Sequence, residues 1–100
     1  DCYQGILKIK GPCGQRVIGL LSSDTGAVIT DTAWTNETTG ESIKKAFSVT
    51  NVCDFPEKLN VGDTVYFKLI KEPVKICNVC FAFIPVPESK NNVQAGCEAQ

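Results

Sequence analysis

At 100 residues, 43% of them hydrophobic, the chain has the size of a single domain around one core, with no room for a second. Ten basic and eleven acidic side chains are scattered along it for a formal net charge of −1, which excludes the basic footprint that nucleic-acid phosphates demand. The longest apolar runs, Val17 to Leu21 and Val79 to Val86, fall far short of the ~20 residues of a membrane-spanning helix.

Tyr3 to Lys10 alternates, with Tyr3, Gly5, Leu7 and Ile9 on one face and Gln4, Ile6, Lys8 and Lys10 on the other, the pattern of a half-buried strand. Gly11-Pro12-Cys13-Gly14 breaks it and turns the chain into a second strand, Gln15 to Ser22. Ser22 to Gly26 is a further turn, and the β-branched run from Ala27 to Thr32 predicts a third strand. Trp34 to Glu41 is polar and threonine-rich and reads as an exposed loop with one aromatic at its edge. A fourth strand is expected over Ile43 to Val52, although Lys44, Lys45 and Ala46 also suit a helix. Phe55 to Leu59 is an irregular connector, and Gly62-Asp63 turns into Thr64 to Ile70, where Val65, Phe67 and Leu69 should face the core. A last long strand is predicted over Lys75 to Val86, ended by Pro85 and Pro87, followed by a polar tail that only Cys97 would anchor. Short strands with turn signals every 8 to 12 residues or so predict an all-β fold of five to seven strands, a small barrel or a sandwich.

Cys2, Cys13, Cys53, Cys77, Cys80 and Cys97 form an even, dense set spread from end to end, which points to an oxidising, extracytoplasmic compartment. A zinc site would need two close ligand pairs, but only Cys77 and Cys80 form one and histidine is absent; no metal or cofactor is expected. The sequence starts at Asp1 without a signal peptide, so the expectation is a mature or trimmed form whose leader is not read. An upstream lipid anchor stays open, although Asp1 ahead of Cys2 means that Cys2 is not itself a lipid-modified first residue.

Gly62-Asp63-Thr64-Val65-Tyr66-Phe67-Lys68, preceded by Phe55-Pro56 and Leu59, resembles the fourth-strand region of OB-type barrels. The layout as a whole is similar to small secreted or lipid-anchored bacterial domains of unknown function, with a cysteine before the first strand, one in the first hairpin, one in the last strand and one at the C-terminus. Cys2, Cys13, Cys77 or Cys80, and Cys97 occupy those places, whereas Cys53 and the second cysteine of the last strand are additions. The resemblance implies an OB-like barrel stapled by disulfides and no assigned activity. Of the 15 pairings that six cysteines permit, the expected one joins Cys2 to Cys97, with Cys13 and Cys53 each meeting one cysteine of the last strand. An immunoglobulin-like sandwich is the alternative, but Asn78 stands where that fold has a tyrosine, two residues before Cys80.

The chemical motifs each have a plainer reading. Asp24-Thr25-Gly26-Ala27 resembles the active-site turn of retroviral-type aspartic proteases, in which two such aspartates meet across a dimer and share a proton. The same residues also suit a hairpin turn, and the glycine-rich flap and late helical segment of those proteases are missing. Cys77-x-x-Cys80 could be a redox pair, but it lies in a strand pattern, where residues three apart point to opposite faces. Without histidine the usual general base is absent, and Asp24, Asp31, Glu37, Glu41, Asp54, Glu57 and Asp63 read as solvated turn residues rather than a carboxylate pair. Asn36-Glu37-Thr38 is a glycosylation sequon if the source is eukaryotic. Trp34, Tyr3 and Tyr66 are the candidate binding residues, because OB-type barrels hold ligands on one sheet face and its loops. The expectation is a non-enzymatic, monomeric extracytoplasmic module with an unassigned protein, peptide or glycan ligand. A dimeric aspartic protease using Asp24 is the alternative.

Overall fold

The computed structural model describes residues 2–11, 14–21, 28–37, 39–72 and 86–97. Among them, the strands are β1 (Tyr3–Lys10), β2 (Arg16–Leu20), β3 (Asp31–Thr35), β4 (Ser42–Val49), β5 (Thr64–Leu69), β6 (Lys90–Asn91) and β7 (Val93–Ala95), with one 3-10 turn at Val52–Asp54. They form one sheet in the order β3-β4-β2-β1-β5-β7, with β6 added beside β4. Every pairing is antiparallel except that of β4 with β6. The all-β expectation holds. The architecture is one sheet, neither a two-sheet sandwich nor a closed barrel. Lys90 to Ala95 touches β4 through β6 and β5 through β7, but the pairings are short and Asn92 interrupts them.

Alternation explains β1. Tyr3, Gly5 and Leu7 are buried while Gln4, Ile6 and Lys8 are only partly so. The inward residues join Ile18, Phe47, Val49, Val65, Phe67 and Val93 in the main core, where Phe67 lies between the rings of Tyr3 at 5.8 Å and Phe47 at 5.6 Å. Gly5 is required by close approach, because a Cβ there would stand 2.5 Å from Ile18 Cγ2 and 2.9 Å from the carbonyl oxygen of Gly19. β5 follows its predicted pattern at Val65 and Phe67, with Leu69 half-buried. Its entry turn is closed by the Asp63 carboxylate, which accepts the Asn60 amide at 2.8 Å.

Two irregularities divide the apolar residues between clusters. The β1/β2 register slips between Leu7 and Ile9, and Ile9 leaves the face expected for it to pack with Val17, Ile43, Ala46, Trp34 and Val86. In β4, Lys45 has φ = 56°, and Ile43 packs with Ala46 rather than with Phe47 and Val49. With a cluster on each side, all of β2 is buried.

Three expectations need correction. The third strand runs over Asp31–Thr35, without Val28 to Thr30 of the predicted strand and with Trp34 and Thr35 of the predicted loop; residues 22–27 lie outside the described set. The loop then narrows to a turn in which Asn36 accepts the Gly40 amide at 2.7 Å and donates its own to Glu41 at 2.8 Å. The sequon's Asn36 is only 6% exposed, so that the asparagine is shielded rather than presented. The polar tail is also more than a tether, since it supplies β6 and β7 and buries Asn91 and Val93. The predicted strand from Lys75 to Val86 falls on residues 73–85, outside the described set except for Val86.

The tail is held by side chains that imitate peptide groups. Asn51 donates to the Val93 carbonyl at 2.7 Å and accepts the Val93 amide at 2.8 Å, while donating also to Asp54 at 3.0 Å. Asn91 treats Ile29 in the same way, at 2.7 and 3.1 Å. The disulfide between Cys2 and Cys97 joins the start of β1 to the end of β7, across the strand that lies between them, β5. Cys53 is disulfide-bonded as well, and Cys13, Cys77 and Cys80 lie outside the described residues.

Replacing both Cys2 and Cys97 by alanine is expected to lower stability by about 4 to 5 kcal/mol, the chain-entropy value for so long a loop, read as a shift in urea midpoint. Asn51→Ala strands the buried amide and carbonyl of Val93 and should cost about 3 kcal/mol in the same assay. A loss within about 0.5 kcal/mol, as for an ordinary surface change, would show that the tail is held by something else.

Candidate functional site

The three aromatic candidates lie in different settings. Tyr3 is 8% exposed and belongs to the main core. Tyr66 is on the neighbouring strand, but Tyr3 pairs with Phe67 and Gln4 with Tyr66, so the two tyrosines face opposite sides of the sheet. Trp34 sits opposite Ile43 on β3 and packs half-buried against the second cluster, with β4, β2 and β1 between it and β5. No common platform joins them.

The carboxylates hold the fold locally. Asp54 accepts from Asn51, Asp63 closes its turn, and Glu37 is exposed. Asp31 receives the Ser89 hydroxyl at 2.6 Å and the Ser89 and Glu88 amides at 3.2 Å each. These hydrogen bonds, the Ser89 hydroxyl foremost, hold its carboxyl below the ordinary value of 3.8 against a smaller opposing effect of burial. Arg16 is buried over the Phe55 ring at 6.0 Å, and desolvation lowers its pKa while nearby Glu57 opposes the shift. Among the described residues, no three His, Cys, Asp or Glu side chains come together as a metal site. The protease-like Asp24-Thr25-Gly26 turn and the Cys77-x-x-Cys80 pair lie outside the described residues.

Sequence reasoning did not single out the groove across β1, β2 and β4, of about 230 Å³. Ile6, Gly19 and Ile43 give it an apolar floor. Gly19 keeps that floor open, since a Cβ there would approach Ile43 Cγ2 to 3.0 Å and Lys8 Cε to 3.5 Å. Leu21 forms a wall and is 54% exposed. The rim carries Lys8, whose ammonium meets the Glu41 carboxylate at 3.0 Å, together with exposed Ser42 and Lys44. One signal for this surface was present in the sequence: Ile6 is an apolar residue on the otherwise polar face of Gln4, Lys8 and Lys10. The groove can seat apolar groups and pair charge at its edge.

Comparison with protein-family models, with curated proteins and with solved structures found no match to the chain. No helix among the described residues is long and apolar enough to cross a membrane.

The Asp31 cluster predicts an acid-sensitive junction. With the folded pKa below 3.8, its contribution is present above the unfolded value and is lost as pH falls through the folded value. Exchange of the Ser89 amide should therefore accelerate below about pH 4 relative to other strand amides, and Asp31→Asn should remove that dependence. An unchanged pH profile in the variant would assign the loosening to another group.

Proposed function

We propose that the chain is a non-enzymatic module that works outside the cytoplasm, secreted or held at the cell surface, and binds a protein, peptide or glycan ligand. The observation that carries the reading is the Cys2–Cys97 disulfide, which spans 95 positions and ties the start of β1 to the end of β7. Such bridges persist in oxidising compartments and are rare where thiols are kept reduced. The disulfide state of Cys53 supports the same placement.

An OB-like scaffold is part of the proposal, after the small secreted or lipid-anchored bacterial domains that the cysteine layout resembles. Its support is connectivity: β1 is shared between β2 and β5, β2 continues to β4, and the C-terminal segment reaches back from β5 to β4 with a parallel pairing. OB barrels are partly open and bind along one sheet face and its adjoining loops. The groove over β1, β2 and β4 is a surface of that kind. Absence of histidine from the sequence favours binding over general acid–base chemistry.

The test is to isolate the protein from its native host with a thiol-blocking reagent present throughout and no reductant. Six cysteines protected from the reagent, in an extracytoplasmic fraction, are the expected result. Six labelled thiols in the cytoplasmic fraction would overturn the placement and reopen redox or metal chemistry for Cys77 and Cys80.

A further inference from the structure

We infer that the groove over β1, β2 and β4 takes a peptide with a large apolar side chain next to carboxylates, and that Glu41 occupies in the free protein the place of a ligand carboxylate. The inference rests on the reading of the chain as a binding module. At about 230 Å³ the groove lies below the roughly 300 to 1,000 Å³ of sites that enclose drug-sized molecules. It suits a single anchoring side chain, the way a peptide or protein partner engages a small apolar pocket. Among the described residues the floor of Ile6, Gly19 and Ile43 carries no aromatic ring on which a sugar would stack.

Charge at the rim selects the flanking residues. Two lysines, Lys8 and Lys44, and one carboxylate, Glu41, line the groove. Lys44 is exposed and has no ionic partner among the described residues, which leaves a cation for an acidic ligand. Lys8 is engaged by Glu41, but that pair is open to solvent, with side chains 24% and 49% exposed, and exposed ion pairs are weak and exchangeable. A ligand carboxylate can therefore displace Glu41 at little cost. Glu41 sits just ahead of β4, at the end of the hairpin turn, where its side chain can swing clear without breaking the ladder.

The experiment titrates the isotope-labelled, oxidised full chain with a capped hexapeptide containing one phenylalanine followed by two aspartates, and with the same peptide carrying lysines instead. Backbone amide shifts of Gly19, Leu21, Ser42, Ile43 and Lys44 should move with the acidic peptide and not with the basic one. Lys44→Glu should abolish the response. Glu41→Gln removes the internal competitor and should tighten binding by up to about fivefold, the factor equivalent to the upper worth of a surface ion pair. Both substitutions are at exposed positions, and amide spectra of the variants report whether each stays folded. Equal shifts with the two peptides, or weaker binding by Glu41→Gln, would overturn the assignment. Shifts confined to another surface, or binding only of an oligosaccharide such as chitotetraose in a parallel titration, would sink the groove while sparing the module. No shift with any of the three probes, or shifts everywhere at once, would also overturn the groove assignment.

Discussion

The paired hydrogen bonds between the Asn51 side chain and the backbone of Val93 are the interaction on which the place of the C-terminal strands in the sheet depends. The segment from Lys90 to Ala95 is too short to hold itself in place, with β6 pairing through Ser48 and Val49 and β7 through Phe67 to Leu69. An asparagine amide carries the same donor and acceptor as a peptide group, so Asn51 extends the pairing where β4 has ended and leaves no buried backbone group of Val93 without a partner. Val93 is thereby seated in the main core. Asn91 repeats the device toward Ile29, and Asp31 gathers the Ser89 hydroxyl and two amides. The approach to β3, the end of β4 and the edge of β5 thus meet on one stretch of chain. The disulfide then makes that meeting hard to undo, because β7 cannot drift from β5 while Cys97 is bonded to the start of β1.

Packing on both faces follows from two departures from regular strand geometry. A slip in β1 moves Ile9 toward Val17, and the positive φ at Lys45 accompanies the grouping of Ile43 with Ala46. Without these changes a simple alternation would keep Ile9 on the side of Tyr3 and Leu7. The second cluster covers the other face of β2, whose five residues are all buried. At the margin of that cluster, where Gly19 contributes no side chain, the apolar surface stays open as the groove. The groove and the irregularities are thus parts of the same arrangement: the bends that bring Ile43 over β2 set the floor, and Lys8 and Glu41 close its edge.

A rigid sheet with a small apolar groove and a loosely held ion pair suits recognition in the proposed reading. Rigidity comes from the strand ladders, the disulfide and the buried amides, so little order remains to be gained on binding. The exchangeable part is confined to the Lys8–Glu41 pair, whose exposed partners can separate without disturbing the core. The aromatic residues that stand out in the sequence serve the fold instead in two of three cases, Tyr3 in the main core and Trp34 at the second cluster.

Where alternation was long and regular the sequence determined the outcome: β1 over Tyr3 to Lys10, β5 from Thr64, the inward Tyr3, Leu7, Val65 and Phe67, and the turn at Gly62-Asp63. These rest on local rules, namely side-chain period and turn chemistry, whereas the expected Cys2–Cys97 pairing, one of 15, is realised only when the fold brings β7 beside β5. The tail was illegible because Lys-Asn-Asn-Val-Gln-Ala has no apolar period; it becomes strand only when β4, β5 and the amides of Asn51 and Asn91 satisfy its backbone. Ile9 and Trp34 were misplaced for a related reason, since a bulge and a strand beginning late are decided by the neighbouring strand. The groove belongs wholly to the tertiary structure. Ile6, Gly19 and the stretch from Glu41 to Ile43 lie far apart in the chain, and only the order β4-β2-β1 makes them one surface.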